Sequence, residues 1–160
     1  MSWGTAALEA EEASTVNSKL LHDAKGQRTF VLVFETGDEA VAGIREFAKR
    51  QRLNASHFTA IGAFSDVVLG YFDWTQKSYR RIPVSEQVEA LSLVGNVVLK
   101  DGEPQVHAHA VLGKSDATAH GGHLLEGRVR PTLEVILVES PEHLRRVHHE
   151  ASGLALIDLS

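Results

Sequence analysis

The stretch Val106-His107-Ala108-His109-Ala110-Val111-Leu112, followed after seven residues by His120-Gly121-Gly122-His123, decides how this chain is read. Val106, Ala108, Ala110 and Leu112 alternate with His107, His109 and Val111. A period of two is that of a β-strand with one face in a core and the other turned outward. His107 and His109 then share the outward face, with Cα atoms roughly 6.5–7 Å apart, compatible with one shared ion after side-chain adjustment. Gly121-Gly122 reads as a turn whose free dihedrals and close backbone approach let His123 swing back toward the strand. His120 sits on the other side of that turn and is an additional site candidate. Three neutral imidazoles with an open fourth position form a donor set for zinc or a related divalent ion. The plain alternative is a group of polar residues on a solvated sheet face, since the pattern lacks the specificity of paired Cys-x-x-Cys motifs.

Around this cluster stand further candidates. Asp116 and Glu134 are carboxylates that could orient a histidine or move a proton, or simply bond to a turn and to solvent. Glu134 lies in an otherwise apolar strand, which makes it the better of the two for an acid/base role, with an ordinary solvated sheet residue as the alternative. Arg128 and Arg130 alternate beyond the third histidine and could bind a small anionic ligand near a cation, or form rim salt bridges between subunits. Tyr71, Phe72, Trp74 and Tyr79 read as core or subunit packing rather than a nucleotide-stacking surface. His143, His148 and His149 are expected on the surface of a terminal helix.

Other chemistry is absent from the sequence. There is no His-Glu-x-x-His, no Walker loop and no glycine-rich strand-to-helix fingerprint. No serine sits in a Gly-x-Ser-x-Gly elbow, and the absence of cysteine removes disulfides and thiolate nucleophiles.

Along the rest of the chain, residues 1–16 read as a flexible tail with room for a short helix at Ala6–Ala13, and 17–160 as one domain. Val16–Leu21 and Thr29–Glu35 flank Asp23-Ala24-Lys25-Gly26 as a hairpin. Thr36-Gly37-Asp38-Glu39 has capping-box spacing, with Thr36 accepting from the first turn. Val41, Ile44, Phe47 and Ala48 then repeat at helical spacing. Phe58–Phe64, Val67–Tyr71, Lys77–Ile82 and Val88–Leu99 read as strands, with Gly95 at a bulge or a close backbone approach. Asp101-Gly102 marks a turn, and Leu133–Val138 is a further strand. Ser140-Pro141 resembles the start of a second helix, and Leu154–Leu159 a last strand. Many short strands with about two helices predict an α+β fold, mostly antiparallel.

The 160 residues carry a formal charge of −5, which argues against a surface that coats nucleic acid. No stretch reaches transmembrane length and no basic-then-apolar leader begins the chain, so cytoplasmic residence is the expectation.

The complete run from His107 to Leu124, His-Ala-His-Ala-Val-Leu-Gly-Lys-Ser-Asp-Ala-Thr-Ala-His-Gly-Gly-His-Leu, strongly resembles the plants-and-prokaryotes-conserved (PPC, also PCC) domain family. Ala60-Ile61-Gly62-Ala63-Phe64, Leu91-Ser92-Leu93-Val94-Gly95-Asn96 and Pro131-Thr132-Leu133-Glu134-Val135 extend the likeness, which covers about Ser18–Leu159. It implies a strongly bent antiparallel sheet, assembly as a homotrimer, and a metal-ligand pattern, zinc being the expected ion, at His107, His109 and His123. Ala117 stands where the family pattern usually has glycine, which puts a left-handed turn there in doubt. Plant members carry Arg-Gly-Arg-Pro hooks for the minor groove of DNA; this chain has none, so the resemblance brings no DNA-binding residue and nucleic acid is not an expected partner of this chain alone.

Two functional classes follow. One is a trimeric metal-binding domain, enzyme or sensor, whose ion could polarise a carbonyl or activate water. The other is an oligomerising regulatory or DNA-associated domain without catalysis.

Overall fold

The computed structural model describes residues 16–160. The expected helix at 6–13, and the expected tail except Val16, lie outside the described residues. Nine strands and one helix follow in order: β1 (Asn17–Ala24), β2 (Gln27–Glu35), α1 (Ala40–Gln51), β3 (Ala55–Asp73), β4 (Ser78–Val84), β5 (Val88–Lys100), β6 (Glu103–Gly113), β7 (Ala119–Glu139), β8 (Arg145–His149) and β9 (Leu154–Asp158). All strand pairs are antiparallel except the short β5–β8 contact, so the fold is α+β with a mainly antiparallel sheet. Among the described residues no helix is long and apolar enough to cross a membrane.

The two longest strands organise the sheet. β3 and β7 pair over most of their length, with register shifts at Gly62/Phe64, Phe64/Asp66 and Val68/Leu69 that bend both. β7 carries β2 on its later half and β6 on its first residues, while β3 carries β5 on its first half and β4 on its second. Because β5 also pairs with β6, strands β3, β5, β6 and β7 form a closed circuit, and the sheet wraps around its own apolar face. Phe34, Phe58, Phe64, Leu93, Leu112, Leu133 and Leu137 fill that interior and are fully buried. Removing such side chains from water is the main stabilising contribution, roughly 1.5–3 kcal/mol for each.

The helix lies where its periodicity predicts. It buries Ala40, Ile44, Phe47 and Ala48, and Phe47 meets Phe30 of β2 edge to face with ring centroids 5.1 Å apart. Its cap differs from the expected one. The helix begins at Ala40, too late for Thr36, and Glu39 is the N-cap. The Glu39 carboxylate accepts the N–H groups of Val41 (3.3 Å), Ala42 (2.6 Å) and Gly127 of β7 (2.9 Å), which ties the helix to the sheet. Thr36 instead donates its hydroxyl to the carbonyl of Pro131 at 3.3 Å.

The second expected helix does not form. Residues after Ser140-Pro141 build the β8–β9 hairpin, joined through Arg145↔Asp158 to His149↔Leu154. The reason is tertiary. Pairing of β3 with β5 ends at Val98, so Leu99 and Lys100 offer an open strand edge, and Arg145 and Arg146 of β8 occupy it. A short segment with a weak helical pattern is decided by such an edge rather than by its caps. His148 and His149 therefore lie on a strand, and both are exposed.

Candidate metal centre

The histidines are gathered by strand register. β6 runs between β5 and β7, and His109 stands directly opposite His123 in the β6–β7 ladder. Directly opposed residues point to the same face, and His107, two residues before His109, shares it. The core-facing partners are as the alternation predicts: Ala108, Ala110 and Leu112 are buried. Gly121 and Gly122 do not make a turn. They lie within β7 opposite Val111 and Ala110, so the ladder itself delivers His123. A Cβ on Gly122 would stand 3.1 Å from the carbonyl oxygen of Gly70, which explains a small residue at this crowded crossing. Gly95, paired with Ala108, is a close approach: a Cβ there would meet Phe58 Cζ at 2.5 Å and the His107 carbonyl oxygen at 2.6 Å.

One nitrogen from each of His107, His109 and His123 lies within 4.8 Å of the other two. His107 Nε2 and His109 Nε2 are 3.2 Å apart. Four ligands around zinc at about 2.0–2.1 Å put neighbouring nitrogens about 3.3 Å apart, so this pair already has the spacing of one edge of a tetrahedral site. Among the described residues this is the one grouping of histidine or carboxylate side chains with such convergence. His107 and His123 are half-buried and His109 is exposed, leaving an open side.

The electrostatics suit a cation. Burial pushes His123 down to about 4, helped by the positive charge that His107 and His109 would carry. Burial also lowers His107, with Arg146 and His109 adding to the effect. Both rings are thus neutral, lone-pair-bearing imidazoles at neutral pH, the form a metal requires. The Tyr79 ring stacks on His123 with centroids 4.5 Å apart and fixes its plane.

The remaining candidates lie elsewhere. His120 is exposed opposite Leu112, outside the histidine group. Asp116 caps the β6–β7 loop, accepting from the Thr118 N–H at 2.9 Å and hydroxyl at 2.6 Å. Ala117 in that loop has φ +64°, so the left-handed turn is kept without glycine. Arg128 donates to the Gly37 carbonyl at 3.2 Å beside the helix entrance, and Arg130 is exposed next to Pro131. Glu134 lies eleven residues beyond His123 on β7, lining a groove with Ile61, Leu91 and Ile136 rather than the histidine cavity.

Sequence reasoning missed Arg146. Its guanidinium donates to Asn96 Oδ1 (2.8 Å) and the Ala155 carbonyl (3.1 Å), and its Nη2 stands 3.5 Å from His107 Nδ1. No local motif signals this, because the contact exists only once β8 pairs with β5.

The sequence profile of the Plants and Prokaryotes Conserved (PCC) domain matches residues 21–141. The chain is similar to a plant- and prokaryote-conserved protein of Pyrococcus horikoshii, with 32% identity over 90% of this chain and 96% of that one and a TM-score of 0.77. It is similar to a metal-containing protein of Archaeoglobus fulgidus, with 38% identity over 80% of this chain and 91% of that one and a TM-score of 0.74. A Bacteroides thetaiotaomicron protein, provisionally described as DNA-binding, shares the fold with a TM-score of 0.82 at 24% identity, covering 90% of this chain and 97% of that one. No curated protein matches the chain.

Proposed function

The chain belongs to the Plants and Prokaryotes Conserved (PCC) domain family, and we propose that it is a divalent-metal-binding member holding zinc on His107, His109 and His123. The observation that carries this reading is the convergence of three ring nitrogens from adjacent strands, two of them 3.2 Å apart. The metal-containing description of the Archaeoglobus relative supports it. An ion with an open coordination position would supply Lewis acidity there. Glu134 lines the groove of the apolar outer face within one chain, so an acid/base role for it would require a neighbouring subunit.

We also propose that the working unit is a homotrimer. Ile61 (62% exposed), Leu91 (54%), Val94 and Ile136 form a continuous apolar stretch on the outer face of β3, β5 and β7, around Glu134. Contiguous apolar surface on a sheet face is costly in water and marks an interaction site.

The test is elemental analysis of untagged protein after size-exclusion chromatography with light scattering. The expected result is one zinc per chain at three chain masses, with zinc lost in a folded His107→Ala/His109→Ala variant. A wild-type protein that stays metal-free after supplementation with zinc, manganese, iron and nickel would refute the metal reading.

A further inference from the structure

The histidine cavity reaches past the rings toward Arg146. This cavity, of about 130 Å³, is lined by Tyr79, Gln105, His107, His123, Arg146 and Ala155 of β9, and opens to solvent on one side. Among the described residues, four buried side-chain polar atoms have no hydrogen-bond partner. Three of them, Arg146 Nε, Gln105 Oε1 and His123 Nδ1, belong to residues lining this one cavity. Arg146 is only 8% exposed, and no carboxylate lies within 4.0 Å of it among the described residues. A buried cation without a counter-ion is costly, and leaving buried donors and acceptors unmatched adds to that cost. Water could satisfy single atoms but would leave the charge unpaired.

Metal loading sharpens the mismatch. When His107 gives Nε2 to an ion, its Nδ1 carries the proton and needs an acceptor. The group facing Nδ1 at 3.5 Å is the Arg146 guanidinium, which only donates. An oxyanion accepts from both.

We propose that this cavity binds the carboxylate of a small hydroxycarboxylic acid, gripped by Arg146, with Gln105 Oε1 accepting a hydrogen bond from the acid's hydroxyl. The inference rests on the metal reading for its chemical purpose but not for the binding itself. The guanidinium fork matches a carboxylate in shape and charge. At about 130 Å³ the cavity is well below the roughly 300–1,000 Å³ of pockets for drug-sized ligands, which favours an acid of a few carbons. The acid gives Arg146 its missing counter-ion and Gln105 its missing donor, two defects that an apolar ligand would leave in place.

The test uses glycolate as probe, titrated by calorimetry into metal-free and zinc-loaded protein at constant ionic strength. The Arg146 Nε–H signal is followed in parallel by nitrogen NMR of arginine-labelled protein. The expected result is saturable binding in both forms that moves the Arg146 signal, tighter with zinc. Arg146→Gln should weaken it about ten- to a hundredfold, the range of a lost charged hydrogen bond. Should Arg146→Gln fail to fold, Arg146→Lys keeps the charge without the fork and is expected to weaken binding less. Glycolate that leaves the wild-type Arg146 signal unmoved, or that binds equally well to a folded Arg146 variant, overturns the proposal. Failure of zinc to bind while glycolate still moves Arg146 refutes the metal reading alone; zinc binding without any glycolate effect refutes this one alone.

Discussion

His109 and His123 are direct cross-strand partners in the β6–β7 ladder, fourteen residues apart in sequence and opposite one another in register. That pairing makes the third ligand a property of register. A one-residue slip of β7 would turn His123 to the other face.

Removing a ring should therefore empty the site without unfolding the sheet. His123→Ala is expected to lower zinc affinity by at least about a hundredfold, more than the 10–100-fold typical of residues that only orient ligands. Competition against a chelating dye measures this, and zinc affinity within threefold of wild type would mean that His123 is not a ligand.

Packing behind the site should matter nearly as much. A side chain at Gly95 collides with Phe58 and with the backbone oxygen of His107. Gly95→Val is expected to cost about 1–3 kcal/mol by overpacking and to weaken zinc binding by moving His107. Urea denaturation and the dye assay read the two effects, and unchanged values in both would contradict the close approach.

The acid response of the metal-free protein should depend on His123. Its imidazole is held neutral down to about 4 in the folded state, whereas an unfolded histidine titrates near 6.5. Between those values the unfolded chain binds the extra proton, so folding stability falls as pH drops through this window and is regained above it. His123→Phe should flatten the slope of the urea midpoint between pH 6.5 and 4. Parallel slopes for variant and wild type would show that the buried ring is not responsible.

The loop after β6 holds strain that can be relieved. Ala117 sits at φ +64°, where a Cβ costs roughly 1–2 kcal/mol. Part of the gain from Ala117→Gly is returned through the freer unfolded chain. The expected net effect is a stabilisation of about 0.5–1 kcal/mol with zinc affinity unchanged. Calorimetric melting checks it, and a lower melting temperature would count against a left-handed residue at 117.

Self-association should be separable from metal binding. Ile61 is 62% exposed on the apolar outer face, so Ile61→Glu leaves the core intact. Light scattering is expected to show three chain masses for wild type and one for the variant, each still holding zinc. An unchanged mass in Ile61→Glu would place any subunit contact elsewhere.

The sequence by itself determined the elements whose pattern is local. The alternation of Val106, Ala108, Ala110 and Leu112 specified a half-buried strand, and Val41, Ile44, Phe47 and Ala48 specified the helix, because burial selects one face at periods of 2 and 3.6. His107 and His109 were legible as a pair for the same reason. Only tertiary structure decided that Gly121-Gly122 continue a strand, that Glu39 replaces Thr36 as the cap, and that Arg145–His149 form a strand instead of a helix, paired with the last strand that the sequence did predict. Each of those depends on a partner outside its own segment: Val111 and Ala110 of β6 for the glycines, Gly127 for Glu39, the open edge of β5 for Arg145 and Arg146. Arg146 at His107 belongs to the same class. Its contact is made through β5, Arg146 lies thirty-nine residues from the histidine in sequence, and no local periodicity carries information over that distance.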